Sequence, residues 1–198
     1  MNKKNIFLNF FGIYFIIIAI VAFYNAITEG NPSEILWLSY FAFLLTGIGV
    51  LSRNSFLIGS QLNIIFMPYL VWNVDFFYRL FASKSFFGVS DYFFTTRPIT
   101  EQIVSIQHIL LVPIALVAIY IIKFKRKDFW KWSLSQTGLI FVLTRLLSEK
   151  EQNINCAFNN CIHFKISIGA YPFAWILAVI LMILAVNYAL VRIKFLNE

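Results

Sequence analysis

Apolar stretches long enough to cross a bilayer recur along this chain, and a water-soluble fold of this length cannot bury so many of them. A helix needs about 20 predominantly apolar residues to span the hydrocarbon core. Six such segments can be read, at about 6–26, 35–51, 56–78, 102–122, 130–147 and 171–191. The 198 residues are 60% hydrophobic and 13% charged, whereas a soluble domain is nearer half apolar and a quarter charged. The expected fold class is therefore all-α, a polytopic transmembrane helix bundle of about six spans forming one domain over 1–198. Six spans and their loops leave no room for a soluble catalytic domain, so any site must lie within the bundle or its loops.

The formal charge of +7 is unevenly placed. Its densest cluster, Lys123, Lys125, Arg126, Lys127 and Lys131, falls between two apolar segments. That is the position of an orienting cytoplasmic loop that meets anionic lipid headgroups, and it argues against nucleic acid as a partner. With the N-terminus inside, ten Lys and Arg lie on inner segments and six on outer ones, Arg97 and Lys165 among the latter. The expected location is the cell membrane, multi-pass, with both termini cytoplasmic. Membrane lipids are the expected partners, and protein partners are not readable. The first apolar run is too long for a signal-peptide core and lacks an A-x-A cleavage site, so it reads as a retained anchor.

Local signals refine the segments. Asn31-Pro32-Ser33-Glu34 reads as a helix start for the second span. Along that span Ser39, Ala42, Thr46, Gly49 and Arg53 recur every three or four residues, a small and polar stripe suited to close helix contact. Pro68 is expected to kink the third span or split it. The connection 82–101 is rich in aromatic residues and suits the membrane surface.

Ionisable groups inside a span cost about 2.5–3.5 kcal/mol at a helix centre on insertion scales, so each needs a reason. Asp75, His108 and Arg145 fall near the outer ends of three different segments and are expected to converge on one site. Each has a structural alternative. Asp75 can pair with Arg79 four residues on, Arg145 can snorkel to the headgroups, and His108 can bond a neighbour. Glu101, Ser105 and His108 share one helical stripe, and imidazole is the side chain matched to proton transfer near neutral pH. The catalytic candidates are His108, Asp75, Thr46 and Ser39. Arg145 and Trp72 are the substrate-binding candidates, one for anionic charge and the other as an aromatic wall.

Cys156 and Cys161 are the only cysteines, and both lie in the expected outer loop. A disulfide, free thiols, or a metal or redox site with His163 are all compatible with their spacing, although C-x4-C-x-H is a poor zinc pattern. No cofactor or metal motif is present: there is no phosphate-binding glycine loop, dinucleotide fingerprint, nucleophile elbow or HExxH pair.

Two segments carry a resemblance. Ser39-Tyr-Phe-Ala-Phe-Leu-Leu-Thr46, followed by His108-Ile-Leu-Leu-Val-Pro113, resembles the androgen-induced protein family and the related bacterial YwaF-like membrane proteins. The resemblance implies six or seven helices and, in some members, a membrane-embedded lipid hydrolase or acyltransferase. It implies a reactive Thr two residues after Tyr40, where this chain has Ala42, and a His with proline five residues on, which His108 matches. Thr46 and Ser39 are the substitutes one turn either way.

Three functions compete on this reading. An intramembrane hydrolase or acyltransferase would use His108 as base, Asp75 to orient it and Thr46 or Ser39 as nucleophile. A small transporter or solute-binding component would use the Asp75, His108 and Arg145 cluster. A non-catalytic membrane subunit would use the same polar groups only to fasten helices.

Overall fold

The first apolar run forms α1, Lys3–Thr28, unbroken by proline. The chain returns through α2, Leu38–Leu51, and continues in α3, Ser55–Ala82, α4, Ile99–Ile122, α5, Trp130–Leu147, and α6, Tyr171–Arg192. This computed structural model describes residues 2–28, 32–95, 98–162 and 170–197. Asn31, Arg97, His163 and Lys165, which carry parts of the sequence reading, lie outside them.

Six helices form where six segments were read, but they are unequal. At 1.5 Å per residue, α1, α3, α4 and α6 extend about 33–42 Å, against a hydrocarbon core of about 30 Å. These four are long and apolar enough to cross a membrane. The 14 residues of α2 reach only about 21 Å, and α5 is long enough but more polar. Pro68 does not split the third segment, because α3 runs through it as one 28-residue helix.

The second segment also begins differently from its sequence signal. Pro32–Leu36 forms a separate 3-10 turn, and α2 starts only at Leu38. Its cap comes from far along the chain. Asn155 Oδ1 accepts the Leu38 N–H at 2.9 Å while its Nδ2 donates to the Leu36 carbonyl at 2.7 Å. A tertiary contact has replaced the local cap. At the other end of α3's entry turn the cap is local, with Asn54 accepting the Leu57 N–H at 3.1 Å.

The helices pack through small residues and aromatic rings. A Cβ added at Gly47 would stand 2.8 Å from the Gly12 carbonyl oxygen, so these glycines mark the point where α1 and α2 come closest. Ala42, Thr46 and Gly49 of the predicted small-residue stripe are also buried, Gly49 against Ile58 at the start of α3. Large apolar side chains instead cover the outside, among them Ile13, Ile17 and Ile20 of α1 and Leu177, Leu181 and Tyr188 of α6. An exterior this greasy is compatible with a lipid surround and unfavourable in water.

Both chain ends share one end of the bundle with the α2–α3 turn and the basic connection. Arg53 Nη2 donates to Asn9 Oδ1 at 2.7 Å, and the Phe124 N–H donates to the Leu196 carbonyl at 2.8 Å. In the basic connection Arg126 grips Asp128 through bonds of 3.0 and 2.8 Å, which holds that carboxyl below its usual range. Toward this basic end, α3, α5 and α6 are joined by side-chain amides. Gln61 and Gln136 exchange bonds of 2.9 and 3.1 Å. Asn63 Nδ2 reaches Ser133 Oγ at 3.3 Å and Asn187 Oδ1 at 3.2 Å.

Candidate functional site

At the opposite end of the bundle, α3 ends in the left-handed residue Ser83 and the chain folds back on itself. A reversed loop exposes backbone N–H groups that must find acceptors when buried, and Asp75 supplies them. Its Oδ1 accepts the N–H groups of Phe86, Phe87 and Gly88 at 2.8, 2.6 and 3.1 Å. Its Oδ2 accepts both the N–H and the hydroxyl of Ser90 at 2.8 Å. Asp75 is fully buried, and a carboxylate offers about four lone-pair directions, so this set occupies it. Gly88 adopts φ 80° where the loop turns over the carboxylate, a conformation that favours glycine.

The i, i+4 pairing of Asp75 with Arg79 does not form. Arg79 instead pairs with Asp91 and lies over the Phe94 ring at 4.8 Å. Among the described residues no ion pair joins Asp75 to His108 or Arg145. The carboxylate holds a loop; it does not orient the imidazole.

That loop delivers Tyr92 and Phe93 onto α3. Trp72 Nε1 donates to the Tyr92 hydroxyl at 3.0 Å, and Phe93 meets Trp72 edge-on at 6.2 Å. Trp72 in turn stacks on His108, with ring centroids 4.9 Å apart and planes 24° from parallel. Tyr69, one turn earlier on α3, lies 4.2 Å from the imidazole, and Phe43 of α2 meets it edge-on at 6.3 Å. His108 thus sits half-buried in an aromatic enclosure built from three helices and braced by the Asp75 loop.

The protonation of the imidazole follows from one contact. His108 Nδ1 lies 2.6 Å from the Ser105 carbonyl oxygen. A carbonyl can only accept, so Nδ1 carries a proton, and in the neutral ring Nε2 holds the lone pair. The predicted Ser105–His108 stripe is therefore in use, through the backbone of Ser105 and not its hydroxyl. Asn73 Nδ2 also donates to the His108 carbonyl at 3.1 Å, fastening α3 to α4 beside the ring.

The helices that supply these rings also carry hydroxyls. Tyr69 is buried and its OH has no hydrogen-bond partner among the described residues. Thr46, buried on α2 one turn from Phe43, is in the same condition. Ser39 is half-buried one turn to the other side of Phe43.

Arg145 belongs elsewhere. Its Nη1 donates to the Ala157 carbonyl at 2.8 Å, and its guanidinium lies over Phe158 at 5.1 Å and Phe141 at 5.7 Å. The helix that carries it, α5, packs on α3 and α6. Asp75, His108 and Arg145 share an end of the bundle, yet each is held by its own neighbours. The loop beside Arg145 is closed by a Cys156–Cys161 disulfide. Asn153 Oδ1 accepts the N–H groups of Phe158 and Asn159 at 3.0 and 2.9 Å. Trp175 Nε1 donates to the Asn155 carbonyl at 3.1 Å. No group of metal-ligating side chains occurs among the described residues.

Of the predicted site residues, then, His108 and Trp72 are in contact, and Thr46 and Ser39 lie one turn either side of Phe43 along α2. Tyr69, Phe43, Asn73 and Tyr92 were missed. A sequence signal existed for part of this. Tyr69, Trp72 and Phe76 recur at i, i+3 and i+7, an aromatic stripe on one face of α3. Comparison with known proteins returns no matching family model, no matching curated protein and no matching solved structure.

Proposed function

We propose that this chain is a multi-pass membrane protein with its basic end and both termini cytoplasmic, acting on lipid or acyl substrates at the opposite leaflet. The observation that carries this reading is the tautomer of His108, with Nδ1 tied to the Ser105 carbonyl and Nε2 left as the basic nitrogen inside an aromatic enclosure. That nitrogen can take a proton from a hydroxyl or a water as it attacks an ester carbonyl, then return it to the departing alcohol. Thr46 and Ser39 are the candidate hydroxyls, and Trp72 and Phe43 form an apolar wall suited to an acyl chain. The resemblance to membrane-embedded hydrolases and acyltransferases supports the same assignment for His108. The backbone carbonyl of Ser105 takes the orienting role once expected of Asp75.

The test is ester cleavage or acyl transfer by the purified full chain in nanodiscs, supplied with ester phospholipids. His108→Ala is expected to lower the rate about 100- to 10,000-fold, the usual contribution of a positioned base. Equal rates for wild type and variant on every ester lipid would remove the enzyme reading. A second reading, a non-catalytic membrane subunit, is favoured by the closeness of the rings around His108, which stand 4.2 and 4.9 Å from it. The solute-transport reading drew on convergence of Asp75, His108 and Arg145, and nothing in the geometry favours it.

A further inference from the structure

The end of α5 opens onto a pocket whose chemistry is separate from His108. It encloses about 230 Å3 and is lined by Arg145, Lys150, Phe158, Asn159 and Pro172. Arg145 makes one hydrogen bond among the described residues, to the Ala157 carbonyl. A guanidinium carries five N–H donors, so most of its fork is left for a ligand. No described carboxylate lies within ion-pair distance of Arg145 or Lys150. Glu149 and Glu151 adjoin Lys150 in sequence and do not line the pocket.

The walls are held in place by bonds of their own. The Cys156–Cys161 disulfide closes the loop that supplies Phe158 and Asn159. The Tyr171 hydroxyl, at the start of α6, bridges the carbonyls of Cys156 and Asn159 at 2.6 and 2.8 Å. Pro172 brings the first turn of the 22-residue α6 to the rim, where a helix presents the positive end of its dipole. The long face of Arg145 rests on Phe141 and Phe158, which limits its rotamers without neutralising it. Two cations and an amide side chain on a stiff frame, near the positive end of α6, suit a tetrahedral oxyanion.

We propose that this pocket binds a phosphate group, with Arg145 and Lys150 as its charged contacts and Asn159 as a polar one. A phospholipid headgroup and a soluble phosphate compound present the same chemistry, and the level of the pocket at the ends of α5 and α6 admits both. No residue is shared with the His108 enclosure, so the inference stands whether or not the enzyme reading does.

The test uses the purified full chain with its disulfide intact. One arm titrates inorganic phosphate into protein held in phosphatidylcholine nanodiscs, read by the fluorescence of Trp175, which stacks on Phe141 at 4.3 Å beside the pocket. The other measures retention of phosphatidic acid against phosphatidylcholine by native mass spectrometry. Saturation in the first arm identifies a soluble phosphate compound, and selective retention in the second alone identifies a headgroup. In whichever arm binds, Arg145→Gln is expected to weaken binding about tenfold or more, and Lys150→Gln about threefold to tenfold, as charge-assisted bonds are lost. Lys150 is exposed and carries no packing role, so its variant keeps the test sound if Arg145→Gln fails to fold. Lys84→Gln, which does not line the pocket, is expected to bind as wild type. Absence of binding in both arms, or wild-type affinity in both pocket variants, overturns the proposal.

Discussion

Gln61 and Gln136 exchange two hydrogen bonds between α3 and α5, whereas the buried hydroxyls of Tyr69 and Thr46 bond to nothing among the described residues. Toward the basic end amide side chains of α3, α5 and α6 bond across helices, although Asn63 Oδ1 is left without a partner among the described residues. Around His108 some polar atoms are matched, Trp72 to Tyr92 and Asn73 to the His108 carbonyl, while the hydroxyls of Tyr69 and Thr46 are not. Polar groups within a membrane fasten helices when they are paired, and they are a reserve for chemistry when they are not. Thr137 and Thr144 of α5 are unbonded too, so an unmatched hydroxyl alone does not mark a site. What distinguishes the His108 region is an imidazole held by the Ser105 carbonyl and packed against the ring of Tyr69.

Mutations can break this contrast, beginning with the strongest. Asp75→Ala removes the acceptor of five hydrogen bonds at once and is expected to cost about 4 kcal/mol, because buried donors are left unmatched. Thermal unfolding in detergent measures it, and release of the 83–95 loop should also shift the fluorescence of Trp72. A small loss would mean that the loop finds other acceptors. His108→Ala is expected to abolish ester turnover while lowering stability by only about 1–2 kcal/mol, since it empties part of a half-buried site. A variant that loses stability and keeps turnover would place His108 with the fastening groups.

Weaker effects sharpen the comparison. Reducing Cys156–Cys161, or Cys161→Ser, is expected to cost about 2 kcal/mol by freeing a short loop. Differential scanning of oxidised and reduced protein reads it, and turnover at His108 should be unchanged. Asn63→Ala cuts two interhelical bonds, worth about 0.6 kcal/mol each within membranes, so a shift near 1 kcal/mol with full activity is expected. Thr46→Val keeps the shape and deletes an unbonded hydroxyl, and stability should change by less than about 0.5 kcal/mol. Its activity then decides the role of Thr46, because a nucleophile cannot be replaced by Val.

Apolar segment length and periodicity sufficed to locate all six helices and to separate them at the basic connection, since those depend on the order of residues along the chain. The boundaries of the second segment did not follow, because Asn155, more than a hundred residues away, caps α2. Asp75 and Arg145 stood out in the sequence as charges within apolar segments, yet their partners could not be read there. A backbone loop folded over one carboxylate and a disulfide-closed carbonyl beside a guanidinium exist only once the chain has turned back on itself. His108 and Trp72 were legible as candidates from their type and place, and the structure stacks their rings 4.9 Å apart.

The sequence alone determined an all-helical, lipid-compatible chain with a basic end, because solvent preference and helical period act residue by residue. Only the tertiary structure decided which nitrogen of His108 is basic, what Asp75 holds and that Arg145 lines a separate pocket. Those depend on distances of a few ångströms between atoms far apart in the chain, and hydropathy carries no record of them.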